Sequence, residues 1–326
     1  MKTYSYDSVF APKLAAYVAY KKSLGLNFET AARNLLGFDK HCVTQAISVP
    51  TLTKELVEAW TAPRENECRR TQTGRCQLLR GFAKHLIIDG EKAYVYPPQK
   101  NTAQSNFVPH IYSKDELEAI WTQADELPFN STSPYISLEF PVILRLLYGC
   151  GLRVSEACGL RQEQCDLDSG IITVLEDKNG KDRLNPMSAS LTKLMREYMA
   201  KISVICPDAE FVFPNRRGNH ITRDDVRWHF RRFLARAGIP HGGKGKGPRV
   251  HDFRHTFAVH SLRKMEAEGL DIYCALPLLC AYLGHYDIKS TERYLRLTGE
   301  VHGDIVEKLE ADYGSIAPYA TGEVEE

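Results

Sequence analysis

Residues 251–260 read HDFRHTFAVH, and residues 283–298 read LGHYDIKSTERYLRLT. The two segments contain two imidazoles, His251 and His285, together with the guanidinium of Arg254 and the phenol of Tyr294. Groups of these kinds bind an oxyanion, transfer a proton and attack an electrophilic centre. Their concentration in one short part of the chain predicts a catalytic site.

The order of residues in the first segment predicts a helix with one charged edge. Phe253, Phe257 and Val259 follow the spacing of a buried helical face. His251 and Arg254 are three residues apart, so they project to the same side of that helix. A guanidinium binds a phosphodiester through two parallel hydrogen bonds, and the pair therefore favours an anionic, phosphate-like ligand.

The second segment predicts a helix end followed by a new short helix. Gly284 is typical of a helix C-terminus, and Ser290-Thr291 is suited to cap the next helix, which carries Tyr294. Upstream of both segments, residues 148–156 read YGCGLRVSE and place Arg153 after a pair of glycines. The chain thus has three motifs in a fixed order.

These motifs resemble those of the tyrosine recombinase (phage integrase) family, in which an arginine motif precedes H-x-x-R, L-G-H and a tyrosine. The resemblance covers residues 113–298 well and the N-terminal part only by its helical type. It implies a mainly α fold with a small β-sheet, made of a helical N-terminal core-binding domain and a mixed α/β catalytic domain. It also implies a site-specific recombinase that cuts and rejoins DNA strands through a covalent 3′-phosphotyrosyl intermediate.

The resemblance implies a role for each residue of the three motifs. Arg153 and Arg254 hold the phosphate and neutralise the charge that grows on its nonbridging oxygens. Tyr294 is the nucleophile, and His251 either accepts its proton or orients the phosphate. Glu156 is interpreted as support for the arginines.

In this family a lysine on a β-hairpin gives the leaving 5′-oxygen its proton. Residues 177–187 read DKNGKDRLNPM and align Lys178 with that lysine, leaving Lys181 as a second basic residue. Two glycines of the family pattern are replaced here, which puts the exact position of the hairpin tip in question. His285 is expected to bond a nonbridging oxygen, whereas His255 is interpreted as a buried, hydrogen-bonded support.

The overall composition is that of a globular protein. The chain has 326 residues, of which 43% are apolar and 25% charged, enough for two domains. No run approaches the roughly 18 apolar residues of a membrane helix, and the first residues lack a secretory signal. Nine cysteines without a C-x-x-C pair argue against a disulfide framework or a zinc ribbon. We therefore expect a cytoplasmic protein with no membrane partner.

The net charge of +1 hides strongly charged regions. Residues 1–109 carry about +6, with 15 basic and 9 acidic side chains, and residues 200–256 carry about +7, with 12 basic and 5 acidic. Residues 300–326 carry about −7. Local positive charge is what a phosphate backbone meets, so DNA binding is not excluded. Five basic residues of one predicted helix form either a DNA-facing surface, which the resemblance favours, or an ordinary solvated helix face: Arg69, Arg70, Arg75, Arg80 and Lys84.

The domain organisation follows from pattern changes along the chain. We expect a helical DNA-binding domain at 1–95, a linker at 96–109, a catalytic domain at 110–313 and an acidic tail at 314–326. The linker is predicted from paired prolines and polar residues without helical spacing in YVYPPQKNTAQSNFVP. Such a hinge agrees with the C-shaped clamp that the resemblance implies.

The catalytic domain is predicted to combine helices with a few short strands. Ile171–Leu175 and Arg183–Met187 have β-like composition, and Asn179-Gly180 between them predicts a tight hairpin. Phe211–Phe213 is a candidate third strand. Thr222–Ala237 predicts a strongly basic helix.

Two competing motifs are weaker than the recombinase motifs. Residues 238–245 (GIPHGGKG) approach a Walker A loop, but Gly245 stands where Ser or Thr should bind magnesium. HDFRH approaches the zincin motif, but Asp252 replaces its glutamate. We therefore expect no cofactor and no metal. The alternative function is a DNA-binding accessory or regulatory protein of a mobile element without cleavage activity.

The expected partners are double-stranded DNA, further copies of this chain, from dimer to tetramer in synapsis, and possible accessory proteins. Residues 265–281 make the link between two motifs longer than usual, which is similar to integrases of transposons and other mobile elements. The acidic segment after Glu300 begins with an amphipathic pattern of Val301, Ile305 and Leu309. We hypothesise that it docks on a neighbouring protomer.

Overall fold

The computed structural model describes residues 4–99, 108–175, 182–243, 246–285, 288, 291–292 and 294. The chain divides into two compact units, Met1–Asn106 and Phe107–Glu326. Residues 100–107 of the expected linker lie outside the described part of the chain. The expected domain boundaries therefore remain predictions.

The described part of the first unit is helical, with an aromatic core. Thr53 caps the third helix by accepting a hydrogen bond from the backbone N–H of Leu56. The ring of Phe38 packs against Phe10 at 5.6 Å and against Trp60 at 5.5 Å between centroids. The helices are α1 (Ala11–Ser23), α2 (Glu29–Thr44), α3 (Lys54–Thr61) and α4 (Arg69–Ile88).

The basic residues of α4 do not share one environment. Arg75 is buried, and its guanidinium donates to the carboxylate of Glu67 and to the carbonyl oxygens of Trp60 and Ala62. It fastens the segment before α4 to that helix, so the expectation that Arg75 faces DNA is wrong. Three other basic residues of the helix are exposed: Arg69, Arg70 and Lys84.

The second unit begins its helices with side-chain caps. Ser113 and Thr222 each form a capping box, with Glu116 and Asp225 as the returning carboxylates. The helix that follows Thr222 lies where the sequence predicts it. The described helices are α5 (Lys114–Asp125), α6 (Ile136–Gly149), α7 (Val154–Cys158), α8 (Ala189–Ile205), α9 (Arg223–Arg236), α10 (Asp252–Ala267) and α11 (Ile272–Leu283).

A small antiparallel sheet completes the second unit. Its order is β1 (Cys165–Asp166), β2 (Ile171–Val174), β3 (Arg183–Pro186), and β2 pairs with β3 as the predicted hairpin. The expected third strand at 211–213 is wrong. The N–H of Val212 bonds to Leu160 and the carbonyl of Phe213 bonds to Ile221, so this segment pairs outside the sheet. Mainly helical structure with a small sheet confirms the predicted fold class.

Helix α10 takes part in two apolar cores. Phe253 belongs to a large core built mainly from α5, α6, α8 and α9. Val259 belongs to a smaller core that contains residues of α11 and the ring of Tyr294. Burial of a large apolar side chain contributes about 1.5–3 kcal/mol, so both cores hold α10 firmly. The residues between Phe253 and Val259 are thereby fixed in position.

Within the described residues, no helix combines the length and the apolar composition that crossing a bilayer requires.

Candidate active site

Arg254 is a buried arginine on α10 that fixes the ends of two other helices. Only 2% of its surface is exposed. Its Nη1 donates to the carbonyl oxygen of Gly151 at 2.7 Å and its Nη2 to that of Leu283 at 2.5 Å. Gly151 follows α6 and Leu283 ends α11, so one guanidinium ties three segments together. Desolvation, and then the charge of Arg153, lower the pKa of Arg254 to about 10, which leaves it charged at neutral pH.

Arg153 reaches the same site from the start of α7. Its Nη1 donates to Glu156 at 2.6 Å and its Nη2 to the carbonyl oxygen of Gly284 at 3.1 Å. The other partner of Glu156 is Arg183 on β3, whose Nη2 donates to the carboxylate at 2.6 Å. Burial opposes ionisation of Glu156, but the hydrogen bonds and charges of Arg183 and Arg153 outweigh it and lower its pKa. Glu156 is thus an ionised bridge between two arginines.

Sequence reasoning missed the part played by Arg183. The side chain is 9% exposed, on the strand that ends the predicted hairpin. Its position in the family pattern, five residues after Lys178, was the available signal. Lys178 and Lys181, the two candidate donors to the leaving oxygen, lie outside the described residues.

His251 stands at the N-terminus of α10 and lines a cavity of about 420 Å³. Arg227, Arg231 and Arg249 also line this cavity, which makes its wall strongly basic. Desolvation, followed by the charges of Arg254, Arg249 and Arg153, lowers the pKa of His251 to about 4. His251 is an exposed residue on the wall of this cavity, so an incoming ligand can reach it.

His285 is positioned by the end of α11. Gly284 has φ +64°, and the N–H groups of Gly284 and His285 return to the carbonyls of Ala281 and Cys280. This left-handed turn, which glycine favours, aims the following histidine back at the site. Nδ1 of His285 lies 2.8 Å from the hydroxyl of Thr291. Desolvation and the charges of Arg254 and Arg153 lower the pKa of His285 to about 4.

Tyr294 lies within the same cluster. Its ring stacks on His285 with centroids 6.1 Å apart and planes 22° from parallel. Its hydroxyl is 3.1 Å from Nδ1 of His255, a residue that the sequence marked as support. Tyr294 is 2% exposed, and His255 is 9% exposed. Arg153, His251, Arg254, His285 and Tyr294 are therefore brought together.

The site is strongly electropositive. Arg153 and Arg254 lower the pKa of both His251 and His285, and the pKa of Arg254 is itself lowered by Arg153. Each pKa is lowered first by desolvation and then by neighbouring positive charge, and an anion placed among the groups would favour their charged forms. The arrangement can bind a tetrahedral oxyanion, stabilise charge developing on its oxygens and present a phenol to it. In the part of the chain that the structure describes, no three His, Cys, Asp or Glu side chains are grouped to hold a metal.

Comparisons with known proteins identify the family of this chain. The family model described as "Phage integrase family" matches residues 112–300. The tyrosine recombinase XerD of Shewanella oneidensis is 30% identical over 290 residues, covering 84% of this chain and 87% of that protein. A protein named as an integrase/recombinase, y4rB of Sinorhizobium fredii, is 27% identical over 93% of this chain and 98% of its own length.

A solved structure shares the fold. The XerH site-specific recombinase bound to a palindromic difH substrate superposes with a TM-score of 0.63, at 16% identity, over 93% of this chain and 95% of that one. The chain belongs to the phage integrase family. It is a site-specific recombinase of the tyrosine type, as the order of its motifs predicts.

Proposed function

We propose that this recombinase binds duplex DNA and that Tyr294 attacks a phosphodiester held between Arg153 and Arg254. The observation that carries the proposal is the position of the phenol, within one cluster with two arginines and three histidines. Phosphoryl transfer demands that charge on the nonbridging oxygens be neutralised by groups already in place. The carbonyl bonds of Arg254 and the Glu156 bridge of Arg153 keep both guanidiniums in place.

The reaction proceeds by exchange of one ester for another. Oη of Tyr294 bonds to phosphorus, the bond from phosphorus to the 5′-oxygen breaks, and that oxygen takes a proton from the hairpin lysine, for which Lys178 is proposed. The 3′-phosphotyrosyl ester keeps the energy of the broken bond, so a 5′-hydroxyl of a second strand can reverse the reaction. His251 and His285 contact the nonbridging oxygens, whose negative charge favours their protonated forms.

Cleavage in cis is supported by the contacts of Tyr294. Its phenol contacts His255 and its ring stacks on His285, both of the same chain. For cleavage in trans, Tyr294 would have to give up these contacts and enter the site of another protomer. Strand exchange still requires several protomers on DNA, and we propose assembly from dimer to tetramer in synapsis, with accessory proteins setting direction.

The DNA-binding surface that we propose includes exposed basic residues of each unit. Bound DNA is found in the solved XerH complex, and the exposed basic side chains here suit a phosphate backbone. The exposed basic residues are Arg69, Arg70, Lys84, Arg227 and Arg231.

The nine cysteines are free thiols, which supports a reducing compartment such as the cytoplasm.

A nicked suicide substrate tests the proposal, because the short fragment that carries the new 5′-hydroxyl diffuses away and rejoining cannot occur. Wild-type protein should form a complex with DNA that survives denaturing electrophoresis, and EDTA should not reduce it. Tyr294→Phe should bind the same DNA without forming the complex. Tight DNA binding by wild type with no covalent complex would contradict the proposal and favour the accessory-protein alternative.

A further inference from the structure

The phenol of Tyr294 contacts a histidine that lies outside the recombinase motifs considered above. Nδ1 of His255 is 3.1 Å from the hydroxyl of Tyr294. Both side chains are buried, with 9% and 2% of their surfaces exposed. A phenol so enclosed does not face bulk water, and His255 is hydrogen-bonded to it at a distance that allows proton transfer when the oxygen attacks.

His255 also contacts the wall of the phosphate site. Its ring meets that of His251 edge to face, with centroids 4.8 Å apart. Tyr294 and Arg153 both act electrostatically on Arg254, the residue before His255 in the chain. The hydrogen bond between the phenol and the imidazole therefore lies next to the guanidiniums that would bind the phosphate. This position distinguishes it from an ordinary packing contact.

We propose that His255 is a catalytic base that accepts the proton of Tyr294. With its own proton on Nε2, the ring presents the Nδ1 lone pair to the phenol. As Oη bonds to phosphorus and the 5′-oxygen leaves, the phenolic proton passes to Nδ1 and makes an imidazolium. In rejoining, the 5′-hydroxyl attacks phosphorus and gives its proton back to the hairpin lysine, while the tyrosine oxygen leaves and takes its proton from the imidazolium. This inference rests on the proposed function and assigns the base within it.

The geometry gives His251 and His255 different roles. His251 lines the basic cavity and is reachable by a phosphate oxygen. His255 lies behind it and contacts the attacking oxygen. The sequence left two roles open for His251, acceptance of the phenolic proton or orientation of the phosphate; with His255 as the base, His251 takes the second role.

The chain offers a matched control on the same helix. His260 also places its Nδ1 near a tyrosine hydroxyl, that of Tyr148, at 3.0 Å. Asparagine at position 255 or 260 keeps a hydrogen-bonding group near Nδ1 but cannot act as a base at neutral pH. Comparing His255→Asn with His260→Asn therefore separates loss of a base from loss of a buried bond.

The test measures single-turnover cleavage of two nicked substrates, one normal and one with sulfur in place of the leaving 5′-oxygen. Sulfur leaves without a proton, so the second substrate isolates the attack of Tyr294. His255→Asn should slow cleavage of both substrates by about 100-fold or more, the usual contribution of a base. His260→Asn should cleave both substrates near the wild-type rate. Lys178→Ala should cleave only the sulfur-containing substrate near that rate, because this leaving group needs no proton. Thermal unfolding and noncovalent DNA affinity of each variant are measured alongside.

Several results would overturn the assignment. One is cleavage by His255→Asn at the wild-type rate or faster. A faster rate would mean that the hydrogen bond from His255 inhibits attack by the phenol. Another is a wild-type cleavage rate for His255→Asn on the sulfur-containing substrate, which would mean that the variant is defective in protonating the leaving group. Wild type that forms no covalent complex would instead reject the proposed function itself.

A second measurement applies if His255→Asn fails to fold. Nitrogen-15 NMR of the imidazoles in wild type and Tyr294→Phe reports which ring nitrogen of His255 carries the proton. We expect Nδ1 to be unprotonated and its signal to shift when the phenol is removed. A proton on Nδ1 of wild type, donated to the phenol oxygen, would overturn the proposal.

Discussion

Glu156 is a largely buried carboxylate, with 11% of its side chain exposed, whose two oxygens bind arginines from different parts of the chain. Arg153 and Arg183 both donate to it at 2.6 Å. Breaking a buried ion pair by removing one partner costs about 3–5 kcal/mol because the remaining charge is left in the interior. Glu156 therefore contributes both to stability and to the position of a phosphate-binding guanidinium.

Glu156→Gln should consequently lower cleavage more than DNA binding. The amide keeps the shape but loses the charge, so Arg153 is held less firmly against the developing oxyanion. We expect single-turnover cleavage to fall at least about tenfold, with a lower melting temperature and nearly unchanged noncovalent affinity. Equal losses in cleavage and affinity would mean that the residue acts only by holding the fold.

A second buried carboxylate, Glu139 on α6, has a different effect. It is 2% exposed, and no described group pairs with its Oε1. Desolvation, followed by the charge of Asp225, raises its pKa to about 8. The folded protein keeps this proton up to about pH 8, whereas the unfolded chain loses it near pH 4.5. The unfolded chain binds fewer protons in this window, so the free energy of unfolding falls as pH rises.

Glu139→Gln should remove that loss of stability. The difference in unfolding free energy between Glu139→Gln and wild type should grow between pH 5 and 8 by on the order of a few kcal/mol. Denaturant unfolding at several pH values measures it. The comparison cancels the histidines, which act in the opposite direction at lower pH. A difference that stays constant with pH would contradict the protonated state of Glu139.

At the scale of elements, the site depends on the turn between α6 and α7. Gly151 has φ +57°, and a Cβ there would lie 2.7 Å from Cδ1 of Phe257 and 2.8 Å from Cδ2 of Leu283. Its carbonyl accepts a bond from Arg254. The turn is therefore pressed against α10 and α11, and its shape positions Arg254.

Gly151→Ala should reduce both stability and cleavage. Forcing two packed side chains aside costs about 1–3 kcal/mol. Gly218→Ala is the control, because Gly218 also has positive φ, +75°, but a Cβ there would meet nothing within 4 Å. Chemical denaturation and the suicide-substrate assay should both separate the two variants. Equal effects would mean that backbone strain alone, and not packing at the site, is responsible.

Local elements were predictable because their signals are local. The basic helix after Thr222 and the hairpin strands follow from neighbouring residues. Strand β1, the remaining strand of the sheet, was not predictable, because it has only two residues and no distinct sequence pattern. Arg75 shows the same limit, since its buried partners lie 8 to 15 residues upstream and its sequence context resembles that of exposed Arg70.

The site was predictable in composition but not in all of its contacts. The motifs indicated five residues that the structure brings together, whereas Lys178 remains a prediction. The bond between His255 and Tyr294 spans 39 positions in the chain. It depends on how α10 and α11 pack, which no local pattern reports. Spacing alone could therefore mark His255 as buried without showing what it contacts.

At the scale of the whole molecule, the acidic segment after Tyr294 concerns assembly. Residues 295–326 lie outside the described part of the chain, and their amphipathic, acidic sequence is the basis of the docking hypothesis. Deleting the residues after Asp312 should impair synapsis and leave single-site binding intact. Gel-shift titrations with one site and with two sites distinguish these steps. Unchanged recombination by the truncated protein would contradict the hypothesis.

The account as a whole depends on which atom becomes joined to DNA. Mass spectrometry of the protease-digested covalent complex identifies both the attached peptide and the attached end of the strand. The account predicts a single modified peptide, with a 3′-phosphate esterified to Tyr294 and a free 5′-hydroxyl on the other fragment. Attachment at another tyrosine, attachment through a 5′-phosphate, or cleavage without any attached nucleotide would contradict it.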